Sequence, residues 1–93
     1  MADTLRTPTH RLLAGPDGRA IADLVFVDRA QARTPYRTCV KRGGRQPVRT
    51  CFNTTTGDAG TPTITPLRFQ RGPYRVVWSV GGTVVARWQF AVV

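Results

Sequence analysis

From Tyr74 to the last residue the chain alternates. Tyr74, Val76, Trp78 and Val80 fall on one phase, with Arg75, Val77 and Ser79 between them. After Gly81-Gly82, Val84, Ala86, Trp88, Phe90 and Val92 alternate with Val85, Arg87, Gln89 and Ala91. A period of two is the signature of a strand with one face turned to a core. Two such runs about a Gly-Gly pair predict a hairpin closed by a type I′ turn, which needs positive φ at both central residues. That turn pairs Val80 with Thr83 and leaves Trp78 on the same face as Arg87 rather than Trp88. A one-residue offset would gather the large apolar side chains. The two demands are reconciled by a β-bulge, predicted between Val84 and Arg87.

The same pattern, weaker, runs through the rest. Residues 1–9 are polar and are expected to be a flexible N-terminal segment. "HRLLAG" (10–15) reads as a short first strand, and "GPDG" (15–18) as a turn. "RAIADLVFVD" (19–28) is β-branched and aromatic, with Leu24 and Phe26 expected to face inward. "YRTCVKR" (36–42) and "QPVRTCF" (46–52) read as two strands joined across Gly43-Gly44-Arg45. Setting Cys39 opposite Cys51 places Tyr36, Thr38, Val40, Val48, Thr50 and Phe52 on one face. Arg37, Cys39, Lys41, Arg49 and Cys51 then share the other. "NTTTGDAGTP" (53–62) reads as a long loop or weak edge strand. "TITPLRF" (63–69) reads as a strand whose Pro66 suits an edge or a bulge.

About seven short strands, no helix signal and frequent turns predict an all-β antiparallel sandwich. Residues 10–93 form its single domain, and the closing hairpin packs against the strand around Leu24 and Phe26.

Charge changes the picture more than composition does. The 93 residues carry a formal net charge of +9. Thirteen of the fourteen basic residues are Arg, and all five acidic residues are Asp. Such a chain attracts polyanions without regard to sequence: nucleic acid, anionic lipid or wall phosphates. Arg over Lys, with abundant Ala, Gly, Pro and Val, is what a GC-rich genome encodes. No run of 18 apolar residues spans a membrane. No charged n-region and apolar h-region open the chain, so a secreted domain whose signal lies outside this sequence is expected.

Cys39 and Cys51 are expected to form a structural cross-strand disulfide. A catalytic dithiol usually reads Cys-x-x-Cys, and a zinc site needs about four ligands, whereas His10 is the only histidine. A disulfide implies an oxidising, extracellular compartment. The basic hairpin residues Arg37, Lys41, Arg42, Arg45 and Arg49 are the candidate polyanion-binding set, weighed against a solvated face that guards an edge. Aromatic residues for base stacking are absent from it. Arg68, Arg71 and Arg75 form a second basic stretch. His10 with an Asp for nucleophilic catalysis, paired Asp residues for glycoside chemistry, a Lys41–Asn53 cross-link, and "NTT" (53–55) as a glycan acceptor are all weaker readings. Trp78 and Trp88 are expected in the core rather than on a sugar-stacking surface. No enzyme activity, cofactor, metal or small-molecule site is expected.

"GPYRVVWSVGGTVVARWQF" resembles the last two strands of bacterial immunoglobulin-like and fibronectin-type-III-like modules, and "VFVDRAQARTPYRTCV" extends the resemblance weakly. In such modules a Gly-x-Tyr corner opens the penultimate strand. The resemblance therefore implies an immunoglobulin-like form of the sandwich, with Tyr74 returning its hydroxyl to nearby backbone as a structural tyrosine corner. Such modules are common in extracellular proteins of high-GC actinobacteria, which implies a secreted, bacterial source. The chain departs from the antibody pattern, since its cysteines lie on adjacent strands and no Cys follows Tyr74 by two residues. The resemblance implies a non-enzymatic structural or protein-binding module with a protein or cell-surface partner; the alternative is an electrostatic polyanion binder working through the Cys39–Cys51 hairpin.

Overall fold

A computed structural model describes residues 5–14, 20–43, 48–69 and 71–92. Seven strands follow one another: β1 (Arg6–Ala14), β2 (Ala20–Asp28), β3 (Pro35–Arg42), β4 (Val48–Thr55), β5 (Pro62–Phe69), β6 (Gly72–Val80) and β7 (Thr83–Val92). They form an antiparallel three-stranded sheet in the order β1-β2-β5 and an antiparallel four-stranded sheet in the order β4-β3-β6-β7. This is the two-sheet antiparallel sandwich expected from the alternation, in the immunoglobulin-like form that the resemblance implied. In the constant-type immunoglobulin arrangement the fourth strand edges the first sheet. Here β4 pairs with β3 instead, so both cysteine-bearing strands belong to one sheet.

The closing hairpin has the predicted turn and the predicted bulge. Val80 pairs with Thr83, and Gly81 and Gly82 have φ of 57° and 81°. Both values lie in the left-handed region, where Gly escapes the steric cost of a Cβ. Ser79 pairs with Val84 and Trp78 with Ala86, so Val85 is the extra residue. Beyond it Val76 faces Trp88, Tyr74 faces Phe90 and Gly72 faces Val92. The large apolar side chains thereby share the inner face.

That face meets β2. Ala22, Leu24 and Phe26 are buried from one sheet; Tyr36, Val40, Tyr74, Val76, Trp78, Ala86, Phe90 and Val92 from the other. The Phe26 ring lies parallel to Trp78 at 5.1 Å and meets Tyr36 edge-on at 4.9 Å. Offset or edge-to-face pairs of this kind add about 0.5–1.5 kcal/mol beyond area burial.

β1 begins four residues earlier than the His10 start read from sequence, so Arg6–Thr9 are strand and not part of a loose segment. β1 is an edge strand and tolerates Pro8, as the edge strand β5 tolerates Pro66. Of the N-terminal segment expected to be flexible, residues 1–4 lie outside the described residues. His10 is accordingly anchored. Its Nδ1 accepts a 2.8 Å hydrogen bond from the Trp88 indole N–H, and its ring stacks on Phe90 at 4.7 Å. Trp88 is half-buried at this β1–β7 seam, while Trp78 is fully in the core.

Cys39 and Cys51 face each other in the β3–β4 ladder with Cα atoms 4.1 Å apart and are joined by a disulfide. The flanking pairs are those derived from the cysteines: Thr38 with Phe52, Val40 with Thr50, and Arg42 with Val48. Closing this short loop stabilises the fold by about 3 kcal/mol in the chain-entropy account.

Candidate anion-binding face

The pleat of β3 sends Tyr36, Thr38 and Val40 inward and Arg37, Cys39 and Lys41 outward. On β4 the residues that pair with Lys41 and Cys39 are Arg49 and Cys51, and they share that outer face. The third strand of the sheet, β6, then brings Arg75 directly opposite Lys41, and β7 brings Arg87 opposite Val77. Three rows cross the face. One runs Arg49–Lys41–Arg75–Gln89, the next Cys51–Cys39–Val77–Arg87, and the third Asn53–Arg37–Ser79. Five exposed cations thus lie on one surface around the disulfide.

No carboxylate offsets them among the described residues. Asp23 is held by Arg11 at 2.9 Å, Asp58 by Arg33 at 3.2 Å, and Asp28 lies 3.7 Å from Arg6. None of these three arginines belongs to the face. Within it the Arg49 guanidinium reaches the Cys39 Sγ at 3.7 Å, and Ser79 Oγ donates to the Arg37 carbonyl at 3.4 Å. Like charges directly opposite each other in a ladder repel, and Lys41 has an arginine on both sides. Beside this row an open trough of about 580 Å³ is lined by Lys41, Arg75 and Gln89 together with Gly43, Pro73, Ala91, Tyr74 and Phe90.

Of the five cations read from sequence, Arg37, Lys41 and Arg49 stand on this face. Arg42 does not join them. It has the parity of Tyr36 and Val40, is half-buried, and lies along Gly72, where a Cβ would sit 3.4 Å from its Nε. Gly72 has φ of 143°, so the position suits glycine on both counts. Arg45 lies outside the described residues. Arg75 and Arg87 were outside the hairpin set and join the face through strand order. Arg68, on β5, belongs to the other sheet.

The other candidates are placed as follows. Lys41 is exposed opposite Arg49, and Asn53 stands opposite Arg37, two rows away, so the geometry offers no Lys–Asn cross-link. His10 is engaged by Trp88 and Phe90, not by a carboxylate or a hydroxyl nucleophile. Among the described residues no group of three or more His, Cys, Asp or Glu gathers to hold a metal. The Tyr74 ring is buried and stacks on Phe90 at 5.3 Å. The upstream backbone that a tyrosine corner would use includes Gln70, outside the described residues.

One cluster went unread in the sequence. Asp28, at the end of β2, is 1% exposed. Its carboxylate accepts the Tyr36 hydroxyl and the N–H groups of Ala30 at 2.8 Å and Gln31 at 3.1 Å. The Arg6 Nε donates to the Tyr36 hydroxyl oxygen at 3.2 Å. Burial pushes the Asp28 carboxyl up, but the Tyr36 hydroxyl, the two backbone N–H groups and the Arg6 charge together outweigh it and hold its pKa below 3.8. Burial and the Asp28 hydrogen bond push Tyr36 above 10.0, with Arg6 opposing. The legible signal was an Asp two and three residues before free N–H donors, the pattern of an Asx turn. Through the bonds from Ala30 and Gln31 the cluster anchors the turn after β2.

No family model, curated protein or solved structure matches the chain.

Proposed function

We propose that this chain is a non-enzymatic, extracellular β-sandwich module that acts by binding. Its working surface is the outer face of the β4-β3-β6-β7 sheet, and its partner is anionic. The observation that carries this is the row Arg49–Lys41–Arg75, three cations side by side with no carboxylate beside them among the described residues. The disulfide supports the extracellular part, because such bonds persist in oxidising compartments. A solvated face that served only solubility would intersperse both signs.

The test is retention on an immobilised sulfated polysaccharide, eluted with a salt gradient. Lys41→Gln with Arg75→Gln is expected to elute at clearly lower salt than the parent. Arg68→Gln, on the other sheet, with Arg71→Gln, in the bend before β6, removes the same charge from exposed positions outside the three rows and is expected to elute close to the parent. Equal displacement by both pairs would reduce the behaviour to net charge and remove the face as a site. Retention insensitive to salt would favour an apolar protein contact, for which Ile64, 55% exposed on the edge strand β5, is the natural place.

A further inference from the structure

The rows are built for one kind of anion. Neighbouring strands lie about 4.8 Å apart, so Arg49, Lys41 and Arg75 present charge at one-strand intervals. These spacings fall within the Debye length of about 8 Å at physiological salt, so the three act as one field. A partner that satisfies all of them needs charged groups spaced as closely. Sulfates on a polysaccharide hang from bulky sugar rings that hold the charges off the surface, and nucleotides also carry bases that need somewhere to stack. The exposed face offers no ring for a base to stack on, and the two rings that line the trough, Tyr74 and Phe90, are buried in the core. The residues between the cations of the face are Cys39, Cys51, Val77, Ser79, Asn53 and Gln89, with no aromatic ring among them. Two arginine forks flank a lysine point charge, and both groups recognise phosphate oxygens. The trough beside Lys41 and Arg75 gives a chain of phosphates room to continue past the row toward Gln89.

We propose that the outer face of the four-stranded sheet binds a linear condensed phosphate chain, laid across β4, β3 and β6 on Arg49, Lys41 and Arg75 and read through its phosphates alone. This rests on the binding-face reading above and names its ligand class.

The experiment measures affinity for linear inorganic polyphosphate, mixed-sequence single-stranded DNA and dextran sulfate of matched charge, over a range of salt. Polyphosphate is expected to bind tightest. If each of the three row cations takes one phosphate, log affinity against log salt falls with a slope of about −2.1, from the single-strand coefficient of about 0.7 per contact. Lys41→Gln with Arg75→Gln is expected to weaken polyphosphate binding by about tenfold or more and to flatten the slope by about 1.4. Arg68→Gln with Arg71→Gln is expected to leave the slope unchanged. Single-stranded DNA or dextran sulfate binding as tightly as polyphosphate would overturn the ligand class and leave the face standing. Equal loss in both double variants, or no binding of any polyanion at low salt, would overturn the face and the ligand together. Unchanged far-ultraviolet circular dichroism and an intact Cys39–Cys51 bond in each variant show that the comparison is between folded proteins.

Discussion

Two buried hydroxyls two residues apart in β3 have opposite energetics. The Tyr36 hydroxyl donates to Asp28 and accepts from Arg6. The Thr38 hydroxyl, sealed between the sheets, has no hydrogen-bond partner. A hydrogen bond to a charged group contributes about 1.5–3 kcal/mol, and an unsatisfied buried group costs about 1–3 kcal/mol. Tyr36→Phe is therefore expected to lower unfolding free energy by about 2 kcal/mol at neutral pH, and Thr38→Val, of equal shape, to raise it by about 1 kcal/mol. Denaturant midpoints compare them directly. The Tyr36 variant also carries a pH signature. The Asp28 pKa is depressed below its unfolded value of 3.8, so the stability it contributes is present above that pH and is lost as pH falls through the folded value. The Tyr36 pKa is raised above 10.0, so its contribution is present below that pH and is lost as pH rises through the folded value. Tyr36→Phe should make the acid limb shallower and remove this tyrosine's part of the alkaline limb. An unchanged acid limb would mean that the hydroxyl does not govern the Asp28 carboxyl.

At the scale of elements, β7 shows how one residue decides which face a strand presents. Val85 is unpaired between Val84 and Ala86, and it shifts everything after it by one. Without the bulge residue Ser79 would still meet Val84 and Trp78 would still meet Ala86. Deleting Val85 is therefore expected to give a folded protein that has lost only this side chain's packing and the local twist. Inserting one Ala between Ala86 and Arg87 pushes Trp88, Phe90 and Val92 toward solvent, and it is expected to abolish cooperative unfolding. Far-ultraviolet circular dichroism with thermal melts separates the two. The bulge was legible because a Gly-Gly turn and two aromatic phases made incompatible demands within fifteen residues. The β3–β4 register was legible because two cysteines and two polar faces agreed on it. The first four residues of β1 were not, because an edge strand needs few apolar groups and Arg6–Thr9 supplies a proline instead. The Asp28–Tyr36 contact was not legible either, since it spans a connection whose path the residues between do not specify.

At the scale of the whole molecule one sheet face gathers five cations, and this is where the sequence said least. Arg75 and Arg87 join Arg37, Lys41 and Arg49 only because β6 lies beside β3, a neighbour relation that no local pattern encodes. On the other sheet the outward positions of β2 and β5 include Val25, Val27, Ile64 and Pro66 with one exposed cation, Arg68, and Asp23 there is covered by Arg11. Five of the fourteen basic residues thus stand together on one face of a chain whose net charge is +9. Concentrated like charge opposes the compact state, and screening relieves it. Thermal stability of the parent is expected to rise from about 0.01 M to about 1 M salt, as the Debye length falls from about 30 Å to about 3 Å. Lys41 is the centre of the repulsive row, so Lys41→Gln should stabilise the protein by about 0.5 kcal/mol at the low end, the scale of one unfavourable cross-strand pair. The gain should vanish at the high end. Arg68→Gln, outside the row, should gain less. A Lys41 variant no more stable than the parent at low salt would show that the row is not strained, and with that the argument that its cations await an anion would lose its energetic basis.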